Sequence, residues 1–287
     1  MSPINKTGAA NIVSQASIDP PKDAPKTTTQ NVSTVPVQAS PSERLSKTME
    51  LSQTNAQIKA KVTTAYSKQN NAANGVGNVD DAANAPMARA LRLVDVRGTA
   101  DEHDKMLVAK ELTKLPPDIL QRLEKNGTRV TVCRNSITEV LTKLKGVTPR
   151  GWKSDQTWDS VPGQFNPESN RVIIATRGHN TPEGAHVPRT GDGHGSYNVV
   201  IHETMHGIDY RSASTKLSTS PNFTKARKAD LATLDPYETQ EKNAGPEETF
   251  AESAARYYGG DVNDAAKHPN LHSYWATNPL DSKNPRP

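Results

Sequence analysis

The chain has 287 residues, enough for one sizeable domain or two small ones, but only 33% are hydrophobic and the mean hydropathy is −0.74. Such a composition excludes a compact globule from end to end and predicts an unfolded part. The net charge of +4 is spread along the chain without a dense basic block, and aromatic residues make up 5%, which argues against a nucleic-acid-binding protein.

No run of about 18 apolar residues exists, so no transmembrane span is expected. The first twenty residues, "MSPINKTGAANIVSQASIDP", lack an apolar signal-peptide core. The single cysteine, Cys133, excludes an internal disulfide and fits a reducing compartment.

Residues 1–41 are rich in Ser, Thr, Pro, Gln, Asn and Ala, as in "PPKDAPKTTTQNVSTVPVQASPS". They bury too little apolar surface to offset their ordering entropy and are read as disordered. Sparse apolar positions (Leu45, Met49, Ile58, Val62) predict a weak helix over 42–69. "NNAANGVGNVDDAANAP", 70–86, reads as a linker. The division expected is a disordered secretion and linker region, 1–88, and a folded domain, 89–287.

Within that domain "ALRLVDV" reads as a short strand. "DKMLVAKELTKL" and "PDILQRLEKNG" read as helices on either side of Pro116-Pro117, the second ending at Asn126-Gly127. "TRVTVCR" reads as a strand. "NSITEVLTKLKG" carries a capping-box pattern, Ser136 with Glu139, and predicts a helix ending at Gly146. "GQFNPESNRVIIA" places a turn at 167–170 before a strand at 171–175. "TRGHNTPEGAHVPRTGDGHGS" is a long loop. Helices follow around 197–212 and 246–259. The expected fold class is α+β, with helices concentrated late.

The chemistry concentrates in "NVVIHETMHGIDY", 198–210. Residues four apart on a helix share a face, so His202 and His206 can present two imidazoles to one ion, and Glu203 can reach a water on it. A catalytic zinc needs a third protein ligand and an open position. A metzincin continuation fails, because Asp209 stands where glycine and Ser212 where a ligand is required. The other route is a carboxylate on a second helix, in "PEETFAESAARYYGG". Glu248 and Glu252 share a face with Ala251 and Ala255, whose small side chains allow close helix packing. Phe250, Ala254 and Tyr258 can fill the core beside them. Glu248 is assigned as third ligand and Glu252 as the carboxylate that orients a ligating histidine. Glu247 is the rival ligand. Asp209 lies on the histidine stripe and either bonds within the site or satisfies a loop. Tyr237 is a candidate donor to the oxyanion of hydrolysis. His179, His186 and His194, in the long loop, are read as rim or solvent histidines.

"GQFNPESNRVIIA", the long loop, "NVVIHETMHGIDY" and "EETFAESAARYY" together resemble the catalytic domain of the anthrax lethal factor type of zinc metallopeptidase, over roughly residues 110–260. The resemblance implies a zincin-like domain: a small sheet, and an HExxH helix packed against a second ligand-bearing helix. It implies zinc on His202, His206 and Glu248, water activation by Glu203, and Glu252 beside the ligands. The family places a tyrosine seven residues before the third ligand. Glu241 stands there, and Tyr237 lies four residues further upstream, so a small insertion is required. The first ninety residues are similar in composition to the N-termini of effectors exported by bacterial type III secretion.

The function expected is a zinc-dependent endopeptidase acting on a host protein, a secreted effector or toxin that leaves by a non-Sec route and works in the host cytoplasm. A monomer is expected, with a secretion chaperone as a partner for the N-terminal region. The strand at 171–175 is expected to be the edge that receives substrate, bordered by 176–196 and 211–222. The alternatives are a non-catalytic secreted binding or scaffold protein with a structural helix pair, and a zinc hydrolase of non-peptide amides.

Overall fold

The computed structural model describes residues 80–149, 155–211 and 216–280. The expected disordered segment 1–41 and weak helix 42–69 lie outside the described residues. In chain order the main elements are α1 (Asp80–Leu93), β1 (Val94–Val96), α2 (Glu102–Leu112), α3 (Pro117–Lys125), β2 (Arg129–Arg134), β3 (Gly163–Asn166), β4 (Arg171–Thr176), α4 (Val199–Arg211), α5 (Pro221–Asp230), α6 (Ala244–Gly259), α7 (Asp264–Lys267) and α8 (Pro269–Ala276).

The strands form one sheet in the order β1-β2-β4-β3. β1, β2 and β4 run parallel, and β3 pairs antiparallel with β4, Phe165 opposite Val172. Val130, Val132, Val172 and Ile174 face the main core, which the helices complete with Leu112, Leu120, Ile201, Met205 and Phe250. Cys133, Ile173 and Ala175 face a smaller cluster with Ile137, Trp158 and Val161. Burial on both faces explains the unbroken apolar run "VIIA" in β4.

Local signals set several boundaries. The Asp101 carboxylate accepts the N–H groups of His103 and Asp104, and Asp104 answers at Asp101 N, which starts α2. Pro117 opens α3, where a missing N–H costs nothing, and that helix buries Ile119, Leu120 and Leu123. Gly127 follows it at φ +68°, a conformation glycine tolerates.

Three expectations need correction. α1 extends from within the supposed linker through most of the supposed first strand, leaving Val94–Val96 as the only strand part. Ala90 and Leu93 are fully buried and Met87 packs against the same core, so tertiary contact overrides Pro86 and the weak propensity. Residues 137–144 form two single 3₁₀ turns, Ile137–Glu139 and Thr142–Leu144, not a helix. Glu139 does not close a capping box; its carboxylate accepts the N–H and hydroxyl of Thr99 instead. Finally, β4 is interior to the sheet. The edge beside α4 is β3, in "GQFN".

Candidate metal centre

α4 enters from Asn198, whose side-chain oxygen accepts the Ile201 N–H. Val200, Ile201, Met205 and Ile208 are fully buried and fix the helix, while Ala251, Ala254 and Ala255 let α6 lie close alongside. The result is a converging triplet. His202 Nε2 and His206 Nε2 are 3.1 Å apart, and Glu248 Oε2 lies 3.2 Å from the first and 3.3 Å from the second. All three residues are buried, Glu248 to 1% exposure. Tetrahedral zinc with bonds of about 2.0–2.1 Å spaces its ligands about 3.3 Å apart. Glu248 Oε2 makes no hydrogen bond of good geometry among the described residues. Two imidazole nitrogens and a carboxylate oxygen facing one another this closely call for a cation between them. The donor set therefore fits zinc.

Glu203 points to the same space. Its Oε2 accepts the Phe165 N–H of β3 at 2.7 Å. Gly163 permits this approach, because a Cβ there would stand 2.8 Å from Val199 Cγ2 and 3.1 Å from Glu203 Cγ. Tyr237 reaches the site despite its shifted sequence position. Its ring stacks 6.4 Å from that of His202, and burial and the Glu248 carboxylate hold its phenol well above its ordinary value. A cavity of about 450 Å³ opens here, lined by Glu203, His206, Glu248, Tyr237, β3 and an apolar wall of Val140, Leu141, Leu144 and Trp158.

The surrounding carboxylates divide by role. Glu252 Oε2 lies 3.0 Å from His202 Nδ1, which leaves Nε2 free for a metal. Asp209 serves the loop: it accepts the N–H and hydroxyl of Ser218 at 2.7 and 2.8 Å. Glu247 is engaged by Lys216 Nζ at 2.5 Å and by the Tyr210 hydroxyl, apart from the histidine pair.

Of the loop histidines, His194 does not lie at the rim. Its side chain is 10% exposed, its Nε2 lies 3.8 Å from Glu203 Oε1, and its ring meets that of His202 edge-on at 5.1 Å. Ser196 N–H donates to His194 Nδ1, which leaves the proton of the neutral ring on Nε2, toward the site. Burial and the neighbouring His202 lower its pKa. His179 is half-buried, beside Thr176 and Asp104. His186 stands near Asp192 on the outer loop. No fixed spacing from HExxH could have announced His194; only the loop's return to Glu252, through Tyr197 N–H, brings it in.

Residues 84–271 match the family described as anthrax toxin lethal factor, N- and C-terminal domain. The chain belongs to the lethal factor family of zinc metallopeptidases. The lethal-factor-type domain is 32% identical over 171 residues to a Pro-Pro endopeptidase of Paenibacillus alvei, covering 58% of this chain and 71% of that protein. It is 27% identical over 164 residues to a Pro-Pro endopeptidase of Clostridioides difficile, covering 56% and 68%. The solved structure of the Pro-Pro endopeptidase from Paenibacillus alvei superposes with a TM-score of 0.55 at 26% identity, over 66% of this chain and 98% of that one. The α+β zincin-like domain is thus a metalloendopeptidase, and the scaffold alternative gives way. Among the described residues no helix is long and apolar enough to cross a membrane.

Proposed function

We propose that the chain is a zinc-dependent endopeptidase in which His202, His206 and Glu248 hold the metal, Glu203 is the general base and Tyr237 the oxyanion donor. The observation that carries this reading is the buried triplet with mutual distances of 3.1–3.3 Å, set beside a carboxylate anchored to an edge strand. When bound, zinc supplies a Lewis acid that brings a water toward a pKa of about 7 and polarises a carbonyl. The Phe165 N–H fixes Glu203 Oε2, and Oε1 lies 3.8 Å from His194 Nε2. Glu203 takes a proton from the attacking water and hands it to the leaving amine. The Tyr237 hydroxyl donates to the carbonyl oxygen as negative charge develops on it.

An extended peptide fits along β3, whose outer margin borders the cavity. The apolar, aromatic wall opposite and the names of the two relatives favour an apolar, proline-bearing segment. The wider reading is a host-protein substrate, reached by a monomeric effector exported through a type III route with a chaperone for the N-terminal region. The polar composition of the first ninety residues supports it.

The test compares wild type with Glu203→Gln on a proline-containing peptide library and on host lysate, reading new peptide termini. Both proteins should carry about one zinc per chain, and the variant should lose roughly 10²–10⁴-fold in turnover. Undiminished cleavage by Glu203→Gln rejects the assignment.

A further inference from the structure

We propose that the buried Arg256–Glu238 ion pair is a positioning device that holds Tyr237 in register with the ligand-bearing helix. This rests on the reading of Tyr237 as oxyanion donor. Tyr237 lies in a turn at 236–239, outside any helix or strand. Turns of this kind do not by themselves hold a hydroxyl to the tolerance that oxyanion stabilisation requires. Something must fix this one.

The neighbour of Tyr237 does so. The Glu238 carboxylate receives both terminal nitrogens of Arg256 at 2.9 Å each, a planar two-bond fork. Glu238 is 1% exposed and Arg256 7%. The Glu238 carbonyl accepts two more bonds, from Arg227 Nη2 at 2.7 Å and Thr249 Oγ1 at 2.9 Å. Arg256 and Thr249 both belong to α6, and Thr249 directly follows the ligand Glu248. On the other flank the Asp235 carboxylate accepts the N–H groups of Tyr237 and Glu238. The turn is thereby fastened to α6 at the residue next to Tyr237, whose Cα is only about 3.8 Å away along the chain.

The fork is also compatible with a tyrosine eleven residues before Glu248. The residues between the turn and α6 pass through Lys242 at φ 60° and reach Gly245, where a Cβ would lie 2.3 Å from the Gln240 carbonyl. That connection is tightly wound, while Glu238 keeps its neighbour at the site. A buried, forked ion pair suits the task, and Arg256 is itself held from the other side by Asp264, whose Oδ1 accepts its Nε at 3.2 Å.

The experiment uses the zinc-loaded full chain and a cleaved peptide from the library above. It compares wild type, Tyr237→Phe, Glu238→Gln and the double variant. Glu238→Gln is expected to lower kcat about ten- to hundredfold, with KM and zinc content unchanged, and to cost nothing further once Tyr237→Phe is present. Arg256→Lys, which keeps the charge but not the fork, should share the kcat loss. With 3-fluorotyrosine incorporated, the ¹⁹F resonance of Tyr237, assigned by its absence in Tyr237→Phe, should shift in zinc-free Glu238→Gln. An equal loss in both backgrounds, an unchanged kcat in Glu238→Gln or an unmoved resonance overturns the positioning role alone. An unchanged kcat in Tyr237→Phe overturns the oxyanion reading and the positioning role with it.

Discussion

The Glu252 carboxylate holds His202 and the entry to α4 at once: Oε2 meets His202 Nδ1 at 3.0 Å, and Oε1 accepts the Tyr197 N–H at 2.9 Å. One side chain on α6 thus sets the tautomer of His202 and the path of the loop before it. Glu252→Ala should weaken zinc binding roughly 10–100-fold without abolishing it. Competition with a chromogenic chelator measures this. An affinity equal to wild type would strip Glu252 of its orienting role.

The two adjacent glutamates of α6 should behave differently. Glu248→Gln removes the charged member of the triplet and should leave the purified protein with well under one zinc per chain. Glu247→Gln disturbs only the pairing with Lys216 and Tyr210 and should keep its metal. Metal analysis decides; the reverse pattern would exchange the assignments.

Stability without zinc should depend on pH in a definite direction. Burial disfavours a charged His202, but the Glu248 and Glu252 carboxylates beside it raise it well above 6.5. Burial acts likewise on His206, and the charge of Glu248 raises it. Burial would lift Glu248 and Glu252, yet the charge of His206 and the adjacent His202 imidazole bring Glu248 below 4.5, and the bond to His202 does so for Glu252. A raised imidazole contributes stability that is complete below 6.5 and lost as pH climbs through its folded value. The lowered carboxylates contribute above 4.5 and lose that as pH falls. Zinc must displace the imidazole protons, so its affinity rises with pH. The gap in Tm between zinc-loaded and zinc-free protein should therefore widen from about pH 6 to 9. A gap that narrows over this range contradicts the coupling.

Gly163 is a test of close approach. Gly163→Ala pushes a methyl against Val199 and Glu203 and should cost about 1–3 kcal/mol of stability. It should also reduce kcat more than zinc content, because it bears on the base and not on the ligands. Full activity in Gly163→Ala would show that the β3–α4 contact is looser than described.

The helix pair was legible because its information is local. A four-residue spacing puts two imidazoles on one face, and small residues on α6 mark where that face is met. The sheet was partly legible: β2 and β4 read as strands, but nothing in "VIIA" says which strand lies outermost. Edge position depends on chain paths that residue spacing does not encode. The same holds for His194 and for the Phe165 N–H, one carried in by a loop and the other a backbone group with no residue-type signature. The supposed helix at 136–146 failed because Glu139 found a better partner in Thr99, 40 positions earlier.

The short outer strand has a cost that Glu203 offsets. An unpaired sheet margin next to a greasy trough invites any sticky extended chain, including another copy of the same protein. Only four residues are on offer, and the amide of Phe165 is already taken by the Glu203 carboxylate. A visiting backbone must compete with Glu203 for that amide, so an ill-fitting visitor gains little by staying.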